Sequence, residues 1–245
     1  MKLSVCIPMY NESAVIADTA KRLIDYLDAR FADDYEVIFA DDGSTDGSAD
    51  VVRALGLPRV RVVGYADNRG KGCAVRTAML AANGEIALFT DADLAYGTDV
   101  IGEAVGFFSE HPESDLVIGS RNLGKDGYAG YTPLRRLASR IYIRVLCVVG
   151  GLKLTDSQCG FKAFRNPTAK EVFSRCRVDG FAFDFEAILW AQTLGKKIAE
   201  MPVCVFNHRS SKIRLVRDAF RMLRDVIGIR RRIKKQYREE REENP

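Results

Sequence analysis

The sequence holds only two histidines, His111 and His208, and its six cysteines include no CxxC pair. That scarcity argues against the Cys/His arrangements that hold zinc. Cys6, Cys73, Cys147, Cys159, Cys176 and Cys204 fall largely within apolar runs, the pattern of buried free thiols in a reducing compartment. No uncharged run approaches the ~20 residues needed to span a bilayer. The opening stretch MKLSVCIPMYNES lacks the long apolar core of a signal peptide. Neither a GxGxxG dinucleotide fingerprint nor a GxxxxGK[ST] phosphate loop occurs. Internal repeats and low-complexity linkers are also missing. What remains is a 245-residue chain, 47% apolar and 29% charged, long enough to bury a sizeable core. Its net charge of +4 names no partner, but the basic residues cluster in the last third and the final REEREENP turns acidic.

The first half alternates short apolar runs with helical periodicity. Strands are expected at 3–7, 35–40, 60–65, 85–90 and 115–120, and helices at 14–30, 47–55, 71–82 and 100–109. Continuously apolar strands alternating with helices predict an α/β fold, a mostly parallel sheet covered on both faces. The second half is less regular. It offers a Gly-rich loop over 123–133, helices at 134–149 and 183–194, a strand at 198–206 and a long basic helix over 212–235. No domain break is visible before about Asn207.

In an open α/β sheet, ligands bind beyond the carboxyl ends of the strands. Those ends carry Pro8-Met9-Tyr10-Asn11-Glu12, Asp41-Asp42-Gly43-Ser44, Asp91-Ala92-Asp93 and Gly119-Ser120-Arg121. Any one of them reads as an ordinary turn, and Asp46 as a helix cap. Four together make a cleft lined by carboxylates and one arginine. Asp91 and Asp93 repel each other, an arrangement that is tolerated where a divalent cation joins them to a substrate phosphate. Asn68-Arg69-Gly70-Lys71-Gly72 precedes a helix, and its backbone N–H groups suit either a phosphate or a plain β-to-α turn.

In this order, PMYNE, DDGSTDGS, NRGKG, DADL, GSR and DSQCGFKAF resemble glycosyltransferase family 2. The last segment is most similar to the polyprenyl-phosphate members, the dolichyl-phosphate glucose and mannose synthases. The resemblance covers roughly residues 3–212. It implies a GT-A, Rossmann-like fold, a nucleoside-diphosphate sugar donor, Mg2+ or Mn2+, and inverting transfer to a polyprenyl phosphate. By position it implies that Pro8, Tyr10, Asn11, Glu12 and Asp42 hold the nucleoside, with Asp41 beside them. It implies that Lys71 and Asp91-Ala92-Asp93 face the donor, with Asp93, helped by Asp91, as the metal ligand. Arg121 would face the diphosphate or the acceptor phosphate, and Asp156 would orient the acceptor. Arg209, Ser211 and Lys212 match a basic segment that closes over the phosphates. Where some mannose synthases have a glutamine ligand, this chain has Ala95, so water or another group must complete the metal shell. The chain then divides into a transferase domain, 1–210, and a basic amphipathic helix with a charged tail, 211–245.

A phosphate monoester is mostly dianionic at neutral pH, since its second pKa is ~6, and it barely needs a general base. A sugar-hydroxyl acceptor would need one, and Asp184 and Glu186 of FDFE are then the candidates, unless they simply begin a helix. Ile213, Val216, Phe220, Leu223 and Ile227 form an apolar stripe among lysines and arginines, the profile of a helix lying on anionic lipid; helix 134–149 offers a second contact. The expectation is a peripheral enzyme on the cytoplasmic face of a membrane, acting alone or with an integral-membrane partner. The donor sugar leans to UDP-glucose over GDP-mannose or UDP-N-acetylglucosamine. The alternatives are a family 2 enzyme with a saccharide acceptor and a degenerate sugar-nucleotide-binding scaffold at the membrane surface. No motif supports nucleic-acid binding.

Overall fold

The computed structural model describes residues 1–124, 126–206 and 215–243, with 215–222 and 243 described as backbone. The elements run β1 (Leu3–Met9), α1 (Ile16–Phe31), β2 (Tyr35–Asp42), α2 (Ser48–Ala54), β3 (Val60–Tyr65), α3 (Lys71–Ala81), β4 (Ile86–Phe89), α4 (Asp99–Glu110), β5 (Leu116–Ser120), α5 (Pro133–Gly150), β6 (Lys162–Arg165), α6 (Asn166–Phe173), α7 (Phe183–Thr193), β7 (Ile198–Pro202) and α8 (Leu215–Glu243). The seven strands form one sheet in the order β3-β2-β1-β4-β6-β5-β7.

Burial on both faces is why the strands are continuously apolar. In β1, Leu3, Val5 and Ile7 enter the core on the α1 and α4 side, while Cys6 enters the core beneath α3 and α7. Helix α1 places Ile16, Ala20, Leu23, Ile24 and Leu27 on its buried face, the expected 3.6-residue stripe. All six cysteines are free thiols, and all but Cys204 are buried.

One strand runs against the others. Strand β6 is antiparallel to both β4 and β5, so Lys162 pairs with Phe89 on one side and Ile118 on the other. The remaining pairs are parallel. Because β6 is reversed, its start lies at the carboxyl ends of its neighbours. Residues 155–161 therefore sit beside both the DAD turn and the GSR turn. The order also reverses beside β1, whose neighbours are β2 and β4. That topological switch point opens a crevice between PMYNE and DAD.

Strand 198–206 is shorter than expected, ending at Pro202. The Val203 N–H still donates to the Ser120 carbonyl, and the Phe206 N–H then donates to Ala95, so this stretch crosses toward the DAD turn. Helix α8 runs past 235 to Glu243, helped by the Lys235–Glu239 pair and by Gln236 donating to Glu240. Its contacts differ from the stripe read in the sequence. Val226, Ile229 and Ile233 are buried in the core, and Leu223 packs beside them. Arg232 pairs with Glu186, Arg175 with Glu240, and Arg230 donates to the Val149 carbonyl. This half of α8 is therefore packed on α5 and α7, and only Ile227 of the described stripe is exposed. No helix among the described residues is long and apolar enough to cross a membrane.

Candidate active site

The PMYNE and DDGSTDGS turns are tied together by hydrogen bonds. Asn11 N–H donates to the Ser44 hydroxyl at 3.0 Å, Glu12 N–H to Ser48 at 2.8 Å, and Thr45 N–H to the Asn11 amide oxygen at 2.9 Å. Asp46 accepts from Ser13 and Ser48, and those bonds, the Ser48 hydroxyl first, hold its carboxyl well below the usual range. Asn11 is left-handed, with φ 53°. Such a conformation costs about 1–3 kcal/mol and persists only because its surroundings fix it. Tyr10 is exposed, so its ring is open for stacking, whereas Pro8 lies within buried β1.

Asp42 is more deeply engaged than its motif suggests. It is 3% exposed. It accepts from the Tyr65 hydroxyl at 2.6 Å, the Asn68 side-chain amide at 2.9 Å, and the Arg69 and Gly70 N–H groups at 2.9 Å. It therefore builds the NRGKG turn, which is a β-to-α turn with its amides already engaged. Those of Arg69 and Gly70 go to Asp42, and those of Gly72 and Cys73 to the Asp179 carbonyl. These four amides are occupied within the protein. Gly70 and Gly72 are required because the backbone of residues 178–180 lies where their side chains would be.

Lys71 turns into the crevice and pairs with Asp91. Burial disfavours its ammonium, but Asp91, Asp184 and Asp93 outweigh that and raise its pKa above the ordinary value. Asp93 is half-buried, and its Oδ1 accepts from the Ala95 N–H at 3.1 Å. Ala92 is buried between the two acids and offers its carbonyl to the Thr19 hydroxyl at 2.6 Å. Leu94 follows with φ 48°. Among the described residues no group of three or more His, Cys, Asp or Glu side chains is placed to hold a metal. Two hard carboxylate oxygen donors, one already bearing a cation, fit an Mg2+ or Mn2+ that brings phosphate and water as its other ligands.

The segment before β6 joins this crevice to the β5 end. Asp156 has no exposed surface, and Arg121 grips both of its oxygens, Nε at 2.7 Å and a terminal nitrogen at 3.0 Å. The Arg121 guanidinium also lies 5.7 Å over the Tyr128 ring. Glu200 on β7 holds the segment from below, accepting from the Thr155 N–H and hydroxyl and the Asp156 N–H. Further along, Gly160 lies against the Asp91 carboxylate, where any side chain would collide, and its N–H donates to the Tyr96 hydroxyl at 2.9 Å. One loop thus fixes Arg121 and abuts Asp91.

The FDFE acids are engaged within the protein. Fully buried Lys162 donates to Asp184 at 2.6 Å; burial pushes the Asp184 carboxyl up, against the pull of Lys162 and Lys71. Glu186, also fully buried, accepts from the Arg177 and Val178 N–H groups at 2.9 and 2.7 Å and pairs with Arg232. Both oxygens of Glu186 are thus engaged, while Asp184 is tied through Oδ1 to Lys162. Arg209, Ser211 and Lys212 lie outside the described residues. Sequence reading missed Glu200, Tyr96 and Lys162, and its only clue to Glu200 was a lone acid within a strand.

Comparison with known proteins fits this geometry. The dolichyl-phosphate beta-glucosyltransferase of Homo sapiens is 34% identical over 247 residues, covering 94% of this chain and 75% of that protein. Its counterpart from Dictyostelium discoideum is 32% identical over 243 residues, covering 93% and 73%. A crystal structure of glucosyl-3-phosphoglycerate synthase from Mycobacterium tuberculosis, in complex with Mn2+, UDP and phosphoglyceric acid, superposes with a TM-score of 0.67 at 22% identity, covering 93% of this chain and 76% of that one. That likeness identifies the fold as GT-A. The glycosyl transferase family 2 pattern matches residues 4–173, from the first residues of β1 to the end of α6 and so through every turn that lines the crevice; the chain belongs to glycosyl transferase family 2.

Proposed function

We propose that this protein transfers glucose from UDP-glucose to a polyprenyl phosphate, with inversion, at the surface of a membrane. The observation that carries the reading is Arg121, a cation held by Asp156 of the same loop whose Gly160 abuts Asp91. A cation of this kind suits an acceptor that is itself a phosphate, and the two glucosyltransferase relatives are named for dolichyl phosphate.

In this reading Tyr10, Glu12 and Asp41 receive the nucleoside, while Asp42 shapes the turn behind it. Asp91 and Asp93 would hold the divalent ion, which supplies charge neutralisation for the departing diphosphate. Lys71 keeps Asp91 oriented and adds a positive charge beside the donor. Arg121 binds the acceptor phosphate and aims one of its oxygens at the anomeric carbon. That oxygen forms the new bond as the carbon–oxygen bond to UDP breaks, and UDP leaves with the electron pair. No proton need be removed, which agrees with the engaged state of Asp156, Asp184 and Glu186. Arg209, Ser211 and Lys212, outside the described residues, keep the role that the family resemblance implies. They are proposed to close over the phosphates. The enzyme would act peripherally, on the leaflet that faces the nucleotide-sugar pool in the cytoplasm.

The test is transfer of label into the organic phase. Purified protein is given Mg2+ or Mn2+, a polyprenyl phosphate in detergent, and labelled UDP-glucose, GDP-mannose or UDP-N-acetylglucosamine in turn. Label from UDP-glucose alone is expected. Label from another donor would overturn the sugar, and UDP-glucose binding without transfer would overturn the acceptor.

A further inference from the structure

Helix α5 is apolar on two opposite faces. The inner one, Ile143, Leu146, Cys147 and Gly150, is buried against the domain. The outer one is Leu134, Leu137, Ile141, Val145 and Val148, at 77, 56, 56, 42 and 64% exposure. These five recur at i, i+3, i+7, i+11 and i+14, a single stripe along the helix. An outer helix face of a globular domain is normally polar. A contiguous apolar stripe left in water marks an interaction surface.

The charges beside the stripe decide what covers it. Arg135, Arg140 and Arg144 flank it, and α5 carries no acidic residue. Where α5 ends, a notch of about 340 Å³ is lined by Val149, Ile227, Arg230, Arg231 and Lys234. Arg230 is fixed there by its bond to the Val149 carbonyl, 2.8 Å long. Arg144, Arg231 and Lys234 form no ion pair with any described residue. A second copy docked by this face about a two-fold axis would set arginine against arginine. An anionic bilayer meets both features, acyl chains for the stripe and headgroup phosphates for the cations.

We propose that the outer face of α5 and the adjoining α5–α8 notch form the bilayer-docking surface, the stripe entering the acyl boundary and the notch holding the headgroup phosphate of an anionic lipid. This rests on and refines the membrane-surface reading of the function, and it places the docking on the 134–149 helix, which the sequence offered as a second contact. Because α5 follows directly from the 121–132 segment that carries Arg121, the surface adjoins the acceptor end of the crevice.

The test is co-sedimentation of the full chain with phosphatidylcholine vesicles, with and without phosphatidylserine. Wild type is expected to favour the anionic vesicles. Leu137→Glu with Ile141→Glu should weaken binding to both by on the order of tenfold or more. Arg231→Gln with Lys234→Gln should remove roughly tenfold of the anionic preference. Inorganic phosphate at millimolar levels should not displace the protein; displacement would mean a free-phosphate site and overturn the headgroup assignment. Unchanged sedimentation of both double variants would overturn the surface. Should the glutamates unfold the chain, Ile141→Trp gives a second reading, since Trp190 is the only native tryptophan and is wholly buried. Brominated lipid should quench the introduced indole, and no quenching would count against docking. Transfer to polyprenyl phosphate in detergent is scored separately. Vesicle binding through α5 without any transfer would sink the proposed function and leave this surface standing.

Discussion

Arg121 and Asp156 form a two-pronged pair in which the acid is wholly buried and the guanidinium is 13% exposed. Both oxygens of Asp156 are engaged by the Arg121 side chain, and the Arg121 and Gln158 backbone N–H groups add two more bonds at 3.2 and 3.0 Å. An acid held this way positions its partner and is poorly placed to remove a proton. Asp156→Asn keeps the shape but loses the charge. It should lower kcat by about 10²-fold, the usual scale for loosening one stabilising group, with the donor KM near wild type. Steady-state kinetics with both substrates varied checks this. Total loss of turnover with UDP still bound would make Asp156 the base instead.

Asp93→Ala addresses the metal. Asp93 is half-buried at a turn, outside the two packed cores, so the melting temperature should stay within a few degrees. Transfer should fall by roughly a thousandfold or more, the several kcal/mol a bound divalent ion contributes. Titration of Mn2+ against UDP affinity should show the coupling lost in the variant. Normal turnover would reassign the ligand.

Gly160 faces Asp91 so closely that a methyl group cannot fit. Gly160→Ala should push the Asp91 carboxylate from Lys71, costing about 1–3 kcal/mol in overpacking and most of the activity. Gly106 in α4 is the control, since no atom lies within 4 Å of its added Cβ. Gly106→Ala should stabilise the protein by roughly 0.5–1 kcal/mol through helix propensity and leave transfer unchanged. Thermal melts and the transfer assay on the pair separate crowding at the site from the general effect of adding a methyl group.

The residues themselves explain why the first half of this fold was legible and the second less so. Strands β1, β2, β4 and β5 are mostly apolar runs buried on both faces, the edge strand β3 is half-buried, and α1 carries its stripe in order, so pattern alone marks them. Strand β6 is four residues, KAFR, and its reversed direction depends on pairing with β4 and β5, which no local pattern encodes. The NPTAKEVF helix α6 hid behind a proline that in fact sits in its first turn. At the site, the sequence placed these turns on one edge but could not tell open carboxylates from engaged ones. Asp41 and Asp42 are neighbours in one motif, yet only Asp42 is buried beneath the Tyr65 hydroxyl and three amide donors. In α8 the described face that packs is Val226-Ile229-Ile233, which the apolar stripe read in the sequence did not name as its core, and among the described residues an exposed apolar stripe runs along α5.

Cys159, in the loop between Asp156 and Gly160, gives the protein an alkaline limit. Burial, then the negative charge of Asp156, pushes its thiol from an ordinary 9.0 up to about 11. A folded-state pKa above the unfolded one means the native state keeps a proton that the unfolded chain releases. The contribution is therefore complete below pH 9 and is lost as pH rises from 9 toward 11. Over that window it amounts to about 2–3 kcal/mol. Cys159→Ala removes the titrating group, so its unfolding free energy should fall less steeply with pH than that of wild type. Urea melts of both proteins at pH 8 and near pH 10.5 give the difference of slopes, which isolates Cys159 from the other buried thiols. Parallel slopes would mean that the Cys159 thiol ionises in the folded protein as readily as in the unfolded chain, and that the loop at Asp91 opens to water under alkaline conditions.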